Sequence, residues 1–76
     1  MDHIAVLDIG KTNIELSIAL SDGTIVETVS TANDPLPSPP YQHPDADGIE
    51  GWFLDQLRHL THRYRVTAAV ATGLSN

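Results

Sequence analysis

Ile4-Ala5-Val6-Leu7-Asp8-Ile9-Gly10-Lys11-Thr12-Asn13 joins an apolar run to a carboxylate and a glycine, and this stretch decides the fold. A short apolar run that contains β-branched residues and is bounded by a glycine is typical of a strand buried on both faces. We therefore predict a central strand over residues 4–8. Asp8 then stands at the carboxyl end of that strand, where ligands of open α/β sheets bind.

The residues that follow this strand are suited to binding phosphate. Gly10 allows the backbone to approach a ligand closely, and successive main-chain N–H groups form anion-binding nests. Lys11 adds a positive charge, while Thr12 and Asn13 add short hydrogen-bonding side chains. A carboxylate beside a phosphate site is placed to hold hydrated Mg²⁺, which is the role we predict for Asp8. The pattern indicates a nucleotide-phosphate loop, although Asp-x-Gly after an apolar run also occurs as an ordinary strand-ending turn.

Two further strands are predicted next, so the loop is a tight turn between strands. Residues 14–20 alternate apolar side chains with polar or small ones, as a half-buried strand does. Asp22-Gly23 is a pair favoured in type I′ hairpin turns, and the β-branched residues in 25–31 predict the returning strand. The glycine spacings of Walker A and Rossmann loops, which lead into helices, are absent.

A proline-rich loop and a helix follow. All five prolines lie in residues 32–47, which predicts a stiff surface loop with neither helix nor strand interior. Asp47 and Glu50 have capping-box spacing, with Asp47 as N-cap, and apolar residues then recur at steps of three to five. These signals predict a helix over about 48–64 whose apolar stripe packs on the sheet. The stripe comprises Ile49, Trp52, Phe53, Leu57, Leu60 and Tyr64. At this spacing Trp52 is expected in the core rather than as a stacking platform for a sugar ring.

Residues 66–71 are predicted to form a fourth strand directly after the helix. A strand, helix, strand connection crosses over with right-handed geometry, which places this strand parallel to the first. We therefore predict an α/β fold with a mixed sheet in the order third, second, first, fourth strand, covered by one crossover helix. Thr72 and Gly73 then lie beside Asp8 and the phosphate loop.

This arrangement resembles the opening of the superfamily that contains actin, hexokinase and the Hsp70 ATPase domain. Within it, the chain is similar to the N-terminal end of an FGGY-family carbohydrate kinase. The resemblance rests on four segments: Asp8-Ile9-Gly10-Lys11-Thr12-Asn13, Asp22-Gly23-Thr24, Tyr41-Gln42-His43-Pro44-Asp45 and Gly48-Ile49-Glu50-Gly51-Trp52. It implies that residues 1–76 are part of a ribonuclease H-like ATPase domain.

The same resemblance implies transfer of the γ-phosphate of ATP to a hydroxyl of a sugar or polyol, with ATP and Mg²⁺ as cofactors. Asp8 would hold Mg²⁺ through water, and residues 10–13 would bind phosphate. Tyr41, His43, Thr72 and Gly73 would be candidates for contact with the sugar. The general base and the adenine pocket of such kinases lie further along the chain. The resemblance therefore implies a fragment that is inactive alone and whose partner is the rest of the kinase.

Composition limits the other function classes. Four Lys and Arg against ten Asp and Glu give a formal net charge of −6, which argues against binding to nucleic acid. There is no cysteine for disulfides, no apolar run near the roughly 20 residues of a membrane span, and no signal-peptide pattern, so we expect a cytoplasmic protein. Two alternatives stay open. One is another actin-like ATPase or kinase, and the other is a non-catalytic module that binds a partner or a second copy through an uncovered sheet face.

Overall fold

The computed structural model describes the backbone of residues 2–33, 36–38, 41–43 and 46–73, and the side chains of 2–33 and 47–73. The elements in chain order are β1 (Asp2–Ile9), β2 (Asn13–Leu20), β3 (Ile25–Ala32), β4 (Leu36–Ser38), β5 (Tyr41–His43), α1 (Ala46–Leu60) and β6 (Arg65–Thr72). Each strand of the main sheet is one to three residues longer than the range predicted from the sequence.

The main sheet has the order β3-β2-β1-β6, which confirms the predicted topology and the α/β class. β1 pairs antiparallel with β2 and parallel with β6, and β2 pairs antiparallel with β3. The register sets Val6 opposite Ser17 on one side and opposite Val70 on the other. β1 is therefore a central strand, as its apolar sequence predicts.

The hairpin between β2 and β3 does not have the predicted type I′ turn. The Gly23 amide donates to the Leu20 carbonyl at 2.9 Å, and the Leu20 amide donates to the Thr24 carbonyl at 2.8 Å. Gly23 has φ +95°, whereas no described residue other than glycine has positive φ. A type I′ turn needs positive φ at both central residues, so Asp22 excludes it, and the loop is instead a three-residue turn ending in a left-handed glycine. The Asp22 carboxylate accepts the Thr24 N–H at 2.8 Å, and this bond lowers the pKa of Asp22.

The proline-rich segment contains a short second ladder that the sequence analysis excluded. β4 pairs antiparallel with β5, and Pro37 lies opposite Gln42. A two-stranded ladder leaves one edge of each strand without a partner strand, so a proline nitrogen is tolerated on that outer edge. The expectation that residues 32–47 form a loop without strand interior was therefore wrong for β4 and β5.

The helix α1 is shorter than predicted at its carboxyl end. It runs over Ala46–Leu60, so Asp47 lies in its first turn and not at the predicted N-cap position. After Leu60 the chain tightens, with the Arg63 and Tyr64 amides donating to the Leu60 carbonyl at 3.0 and 2.9 Å. Such bonds satisfy carbonyls at a helix end. Tyr64 therefore contributes to the core from the connection to β6 and not from the helix.

The apolar stripe of α1 packs on one face of the sheet, as predicted. Leu60 is 1% exposed and joins a cluster with buried residues of β1 and β2, namely Ala5, Leu7, Ile14, Leu16 and Ile18. Ile49, Trp52, Phe53, Leu57 and Tyr64 pack against this cluster. Full burial of an aliphatic side chain contributes about 1.5–3 kcal/mol, so this single interface carries most of the apolar stabilisation.

The opposite face of the sheet has no described helix on it. Alternation along each strand places Ile4, Val6, Ser17, Thr28, Ala68 and Val70 on that face. The β2 and β3 half is polar, and the Ser17 and Thr28 hydroxyls lie 3.0 Å apart in a hydrogen bond. The β1 and β6 half is apolar, and Val70 is 49% exposed. No described helix is both long and apolar enough to span a membrane.

A cluster around Glu27 joins the connection between α1 and β6 to the edge strand β3. Tyr64 Oη donates to Glu27 Oε1 at 2.8 Å, and Arg63 Nη2 donates to Glu27 Oε2 at 2.6 Å. The bond from Tyr64, and then that from Arg63, lowers the pKa of Glu27 below its ordinary 4.5. The same bond to Glu27 raises the pKa of Tyr64 above 10.0.

These shifts predict a defined pH dependence of stability. A lowered carboxyl pKa adds stability that is present above pH 4.5 and is lost as the pH falls through the folded-state pKa. We expect Glu27→Gln to melt at a lower temperature than the wild type at pH 7, and the difference to shrink towards pH 3. Glu50→Gln is the matched control, because Glu50 is exposed on α1 and loses the same charge. A melting difference that does not change between pH 7 and pH 3 would contradict the ionic role of Glu27.

Candidate functional site

The carboxyl end of β1 gathers several of the predicted site residues. Asp8 lies opposite Thr72 in the parallel register of β1 and β6. The exposed residues Gly10, Lys11 and Thr12 form the turn that follows β1 and leads into β2. The structure thus brings Asp8, the turn and the end of β6 to one edge of the sheet.

Gly73 lies so close to Asp8 that it leaves no room for a side chain. Its φ is +72°, and a β-carbon built on it would lie 2.6 Å from Asp8 Oδ1 and 2.7 Å from the Ile9 carbonyl oxygen. No real β-carbon is accommodated at such distances from a backbone atom, and positive φ is unfavourable for residues other than glycine. Gly73 therefore lets the backbone after β6 pass directly over the Asp8 carboxylate.

The turn itself is closed by a bond between its ends. The Gly10 amide donates to the Asn13 carbonyl at 2.9 Å. Gly10 does not have positive φ, and a β-carbon built on it would lie 3.1 Å from the Asn13 carbonyl oxygen. The Gly10 amide is therefore used within the turn. Phosphate contact from Gly10 itself stays a prediction.

Asn33 braces this turn, and the sequence analysis did not identify it. Asn33 Nδ2 donates to the Gly10 carbonyl at 2.6 Å, and the Asn33 amide donates to the Thr12 carbonyl at 2.9 Å. Asn33 is separated from the turn by about twenty residues and follows the end of β3. The only local signal was an Asn at the end of a strand, which is equally typical of an ordinary loop.

The side chains of the turn are available to a ligand. Lys11, Thr12 and Asn13 are all exposed, and Lys11 is the only Lys or Arg before Arg58. Charge neutralisation of a phosphate at this end of the sheet would therefore depend on Lys11. Asp8 is also exposed, so water reaches its carboxylate.

Asp8 fits the requirements of hydrated Mg²⁺. This ion keeps several waters and binds through one or two carboxylates together with substrate phosphates. No group of three or more His, Asp or Glu side chains among the described residues could enclose a metal alone. The exposed Asp8 carboxylate, with the exposed Glu15 opposite it in the register of β1 and β2, suits a metal that arrives with a nucleotide.

The other predicted substrate contacts are placed only in part. Tyr41 and His43 lie on β5, opposite Ser38 and Leu36, and their side chains are outside the described residues. Thr72 is exposed at the end of β6. The backbone thus places Thr72 beside Asp8, and it places Tyr41 and His43 on β5.

A groove of about 180 Å³ opens beside the braced turn, between the amino end of α1, the start of β2 and the end of β3. Its lining residues are Ile14, Thr31, Ala32, Asn33, Gly48, Ile49 and Trp52. Trp52 forms part of this wall while it also packs against the core cluster. The expectation that Trp52 belongs to the core is met, and one edge of the residue still faces the groove.

Comparison with known proteins supports a kinase-like fold. No family model matches the sequence, and no curated protein does. Among solved structures, a carbohydrate kinase from Novosphingobium aromaticivorans matches with a TM-score of 0.77 and 28% sequence identity, over 88% of this chain and 14% of that chain. This chain therefore has the fold of one part of a carbohydrate kinase, and it spans a small share of that protein's length.

Proposed function

We propose that this chain is the N-terminal piece of an ATP-dependent sugar kinase of the FGGY type. One observation carries the proposal: Asp8, the turn at residues 10–13 and Gly73 converge at the carboxyl end of β1, in a sheet similar to that of a carbohydrate kinase. Ligands of open α/β sheets bind at this end of the strands.

In this proposal each residue has a separate task. Asp8 holds Mg²⁺ through water, and Mg²⁺ when bound neutralises charge on the phosphates of ATP. The turn amides from Lys11 onward, with the side chains of Thr12 and Asn13, donate to phosphate oxygens. The Lys11 ammonium offsets the negative charge of the transferred group.

Phosphoryl transfer depends on positioning both substrates and on stabilising the charge that is transferred. This chain supplies one wall of such a site. The sugar would approach from the side of Thr72, Gly73, Tyr41 and His43. The general base and the adenine pocket would come from the rest of the kinase, so the chain alone binds phosphate without turning over.

The proposal predicts a Mg²⁺-dependent loss on substitution of Asp8. Asp8→Asn removes the charge that holds the hydrated ion while keeping the shape of the side chain. We expect affinity for ATP in the presence of Mg²⁺ to fall about tenfold, equivalent to about 1.4 kcal/mol, with little change when Mg²⁺ is omitted. Isothermal titration calorimetry with and without Mg²⁺ measures both values.

Glu50→Gln is the matched control, because Glu50 is exposed on α1 and the substitution removes the same charge. If the two variants bind ATP with Mg²⁺ equally well, Asp8 has no role in holding the metal.

Sugar specificity requires a second experiment. Pentoses, polyols and deoxy-sugars would be offered, with ATP, to a full-length kinase that carries this segment.

A second candidate function is self-association through the uncovered sheet face, and the exposure of Val70 at the β6 edge favours it. The apolar half of that face can pack against the same surface of a second copy. Among the described strands, β6 also has no partner strand on its outer edge, where its backbone groups can pair with another chain. We expect the chain to form dimers or larger species at tens of micromolar, and Val70→Lys to reduce them. Sedimentation velocity distinguishes the outcomes, since a stable wild-type monomer at that concentration contradicts this candidate.

A further inference from the structure

We infer that Asn33 is a positioning residue that sets the orientation of the phosphate turn. The inference rests on the proposed function, because it concerns how the same turn presents its amides to phosphate. It adds a residue that contacts no ligand in the proposal and that lies outside the stretch from which the site was predicted.

Asn33 makes two hydrogen bonds to the turn. Asn33 Nδ2 donates to the Gly10 carbonyl at 2.6 Å, and the Asn33 backbone amide donates to the Thr12 carbonyl at 2.9 Å. One residue therefore holds two carbonyls of a four-residue turn. Both bonds come from the end of β3, which is itself fixed in the sheet by its ladder with β2.

The planarity of the peptide bond links the direction of each bonded carbonyl to the direction of the next amide. In a trans peptide the C=O and the next N–H point in opposite directions. A Gly10 carbonyl turned towards Asn33 therefore turns the Lys11 amide away from it. In the same way, the Thr12 carbonyl fixes the direction of the Asn13 amide. Asn33 thus determines which way two amides of the turn face.

The other contacts of the turn do not set the orientation of these two peptide planes. The bond between the Gly10 amide and the Asn13 carbonyl closes the turn but leaves the Gly10–Lys11 and Thr12–Asn13 peptide planes to be set by other contacts. The turn side chains are exposed, so packing does not fix these planes. A donor array that is already oriented binds an anion without the cost of ordering it, which is the benefit of pre-organisation.

The test separates the side-chain bond from the backbone bond. Asn33→Ala removes only the bond to the Gly10 carbonyl, because the Asn33 amide remains. Asn33→Asp keeps the shape and replaces the donor by a carboxylate that repels that carbonyl. Ser30→Ala is the matched control, since Ser30 is exposed on β3, the strand that leads to Asn33, and has no described bond to the turn.

The first readout needs no ligand. We expect ¹⁵N relaxation of Asn33→Ala to show increased motion confined to residues 10–13, with the distal turn at residues 21–24 unchanged. In Asn33→Asp, acidification below about pH 4 protonates the carboxyl group and restores a donor, so the wild-type turn signals should return. Unchanged relaxation of the turn in both variants would overturn the inference.

The second readout is binding of tripolyphosphate with Mg²⁺. We expect about a tenfold weaker affinity for Asn33→Ala and a larger loss for Asn33→Asp, while Ser30→Ala binds as the wild type does. Wild-type affinity in both Asn33 variants would also overturn the inference. If the wild type itself does not bind, the proposed function fails, and the relaxation measurement alone still decides whether Asn33 orients the turn.

Discussion

Gly73→Ala is expected to destabilise the chain by about 2–5 kcal/mol. Positive φ costs about 1–2 kcal/mol for a residue with a β-carbon, and forcing atoms into an occupied space adds about 1–3 kcal/mol. Both terms apply, because φ is +72° and the added carbon would lie 2.6 Å from Asp8 Oδ1 and 2.7 Å from the Ile9 carbonyl. A chain of this size has a total stability of about 4–11 kcal/mol, so the substitution removes a large part of it.

The matched control for this prediction is Gly23→Ala. Gly23 also has positive φ, +95°, but nothing lies within 4 Å of a β-carbon built there. Gly23→Ala should therefore lower the free energy of unfolding by only about 1–2 kcal/mol, from backbone strain. Urea unfolding at pH 7 measures both variants. Equal losses would mean that the close approach of Gly73 to Asp8 does not exist in solution.

Leu60→Ala is expected to lower the free energy of unfolding by about 2–5 kcal/mol, as truncation of a buried leucine to alanine does in other proteins. Leu60 is 1% exposed and contacts the cluster formed by β1 and β2, so its removal leaves a cavity at the carboxyl end of the helix. The loss should appear as a lower midpoint of urea unfolding with little change in slope.

Leu54→Ala provides the control on the same helix. Leu54 is 55% exposed, and leucine and alanine have similar helix propensity. Its substitution should change stability by no more than about 0.5 kcal/mol. If Leu54→Ala lowers the free energy of unfolding as much as Leu60→Ala does, α1 does not pack on the sheet through the face that carries Leu60.

Much of the fold was predictable because its signals are local and repeat along the chain. The apolar run at residues 4–8, the alternation at 14–20 and the stripe from Ile49 to Leu60 each occupy a contiguous segment with a clear period. The crossover rule then set the order of the strands. The sheet order and the packing of the helix are confirmed by the structure.

The details that sequence reasoning missed depend on contacts between distant residues or on exact dihedral angles. The turn at Asp22-Gly23 differs because only Gly23 takes positive φ. The helix ends at Leu60, and the connection that follows brings Tyr64 to Glu27, which lies 37 residues earlier. The short β4–β5 ladder places Pro37 on a strand with one partner, which composition does not reveal.

The candidate site also contains residues that local sequence signals identify and one whose role depends on contacts between distant residues. Asp8, Lys11, Thr12 and Asn13 were identifiable because the motif is contiguous, and Thr72 and Gly73 because the topology brings β6 beside β1. Asn33 was not identifiable, since its role depends on two bonds that span the width of the β2–β3 hairpin. Sequence periodicity carries no information about such bonds.

The central claim is that the turn at residues 10–13, with Asp8, binds phosphate. An amide-resolved NMR titration of the 76-residue chain with Mg²⁺ and ATP tests it most directly. Tripolyphosphate serves as a ligand without adenine and AMP as one without a polyphosphate chain. We predict that ATP and tripolyphosphate shift the same signals, those of residues 8–13, Thr72 and Gly73, and that AMP shifts them weakly. Dispersed spectra in which none of these signals move, or in which ATP and AMP shift a different region equally, would contradict the claim.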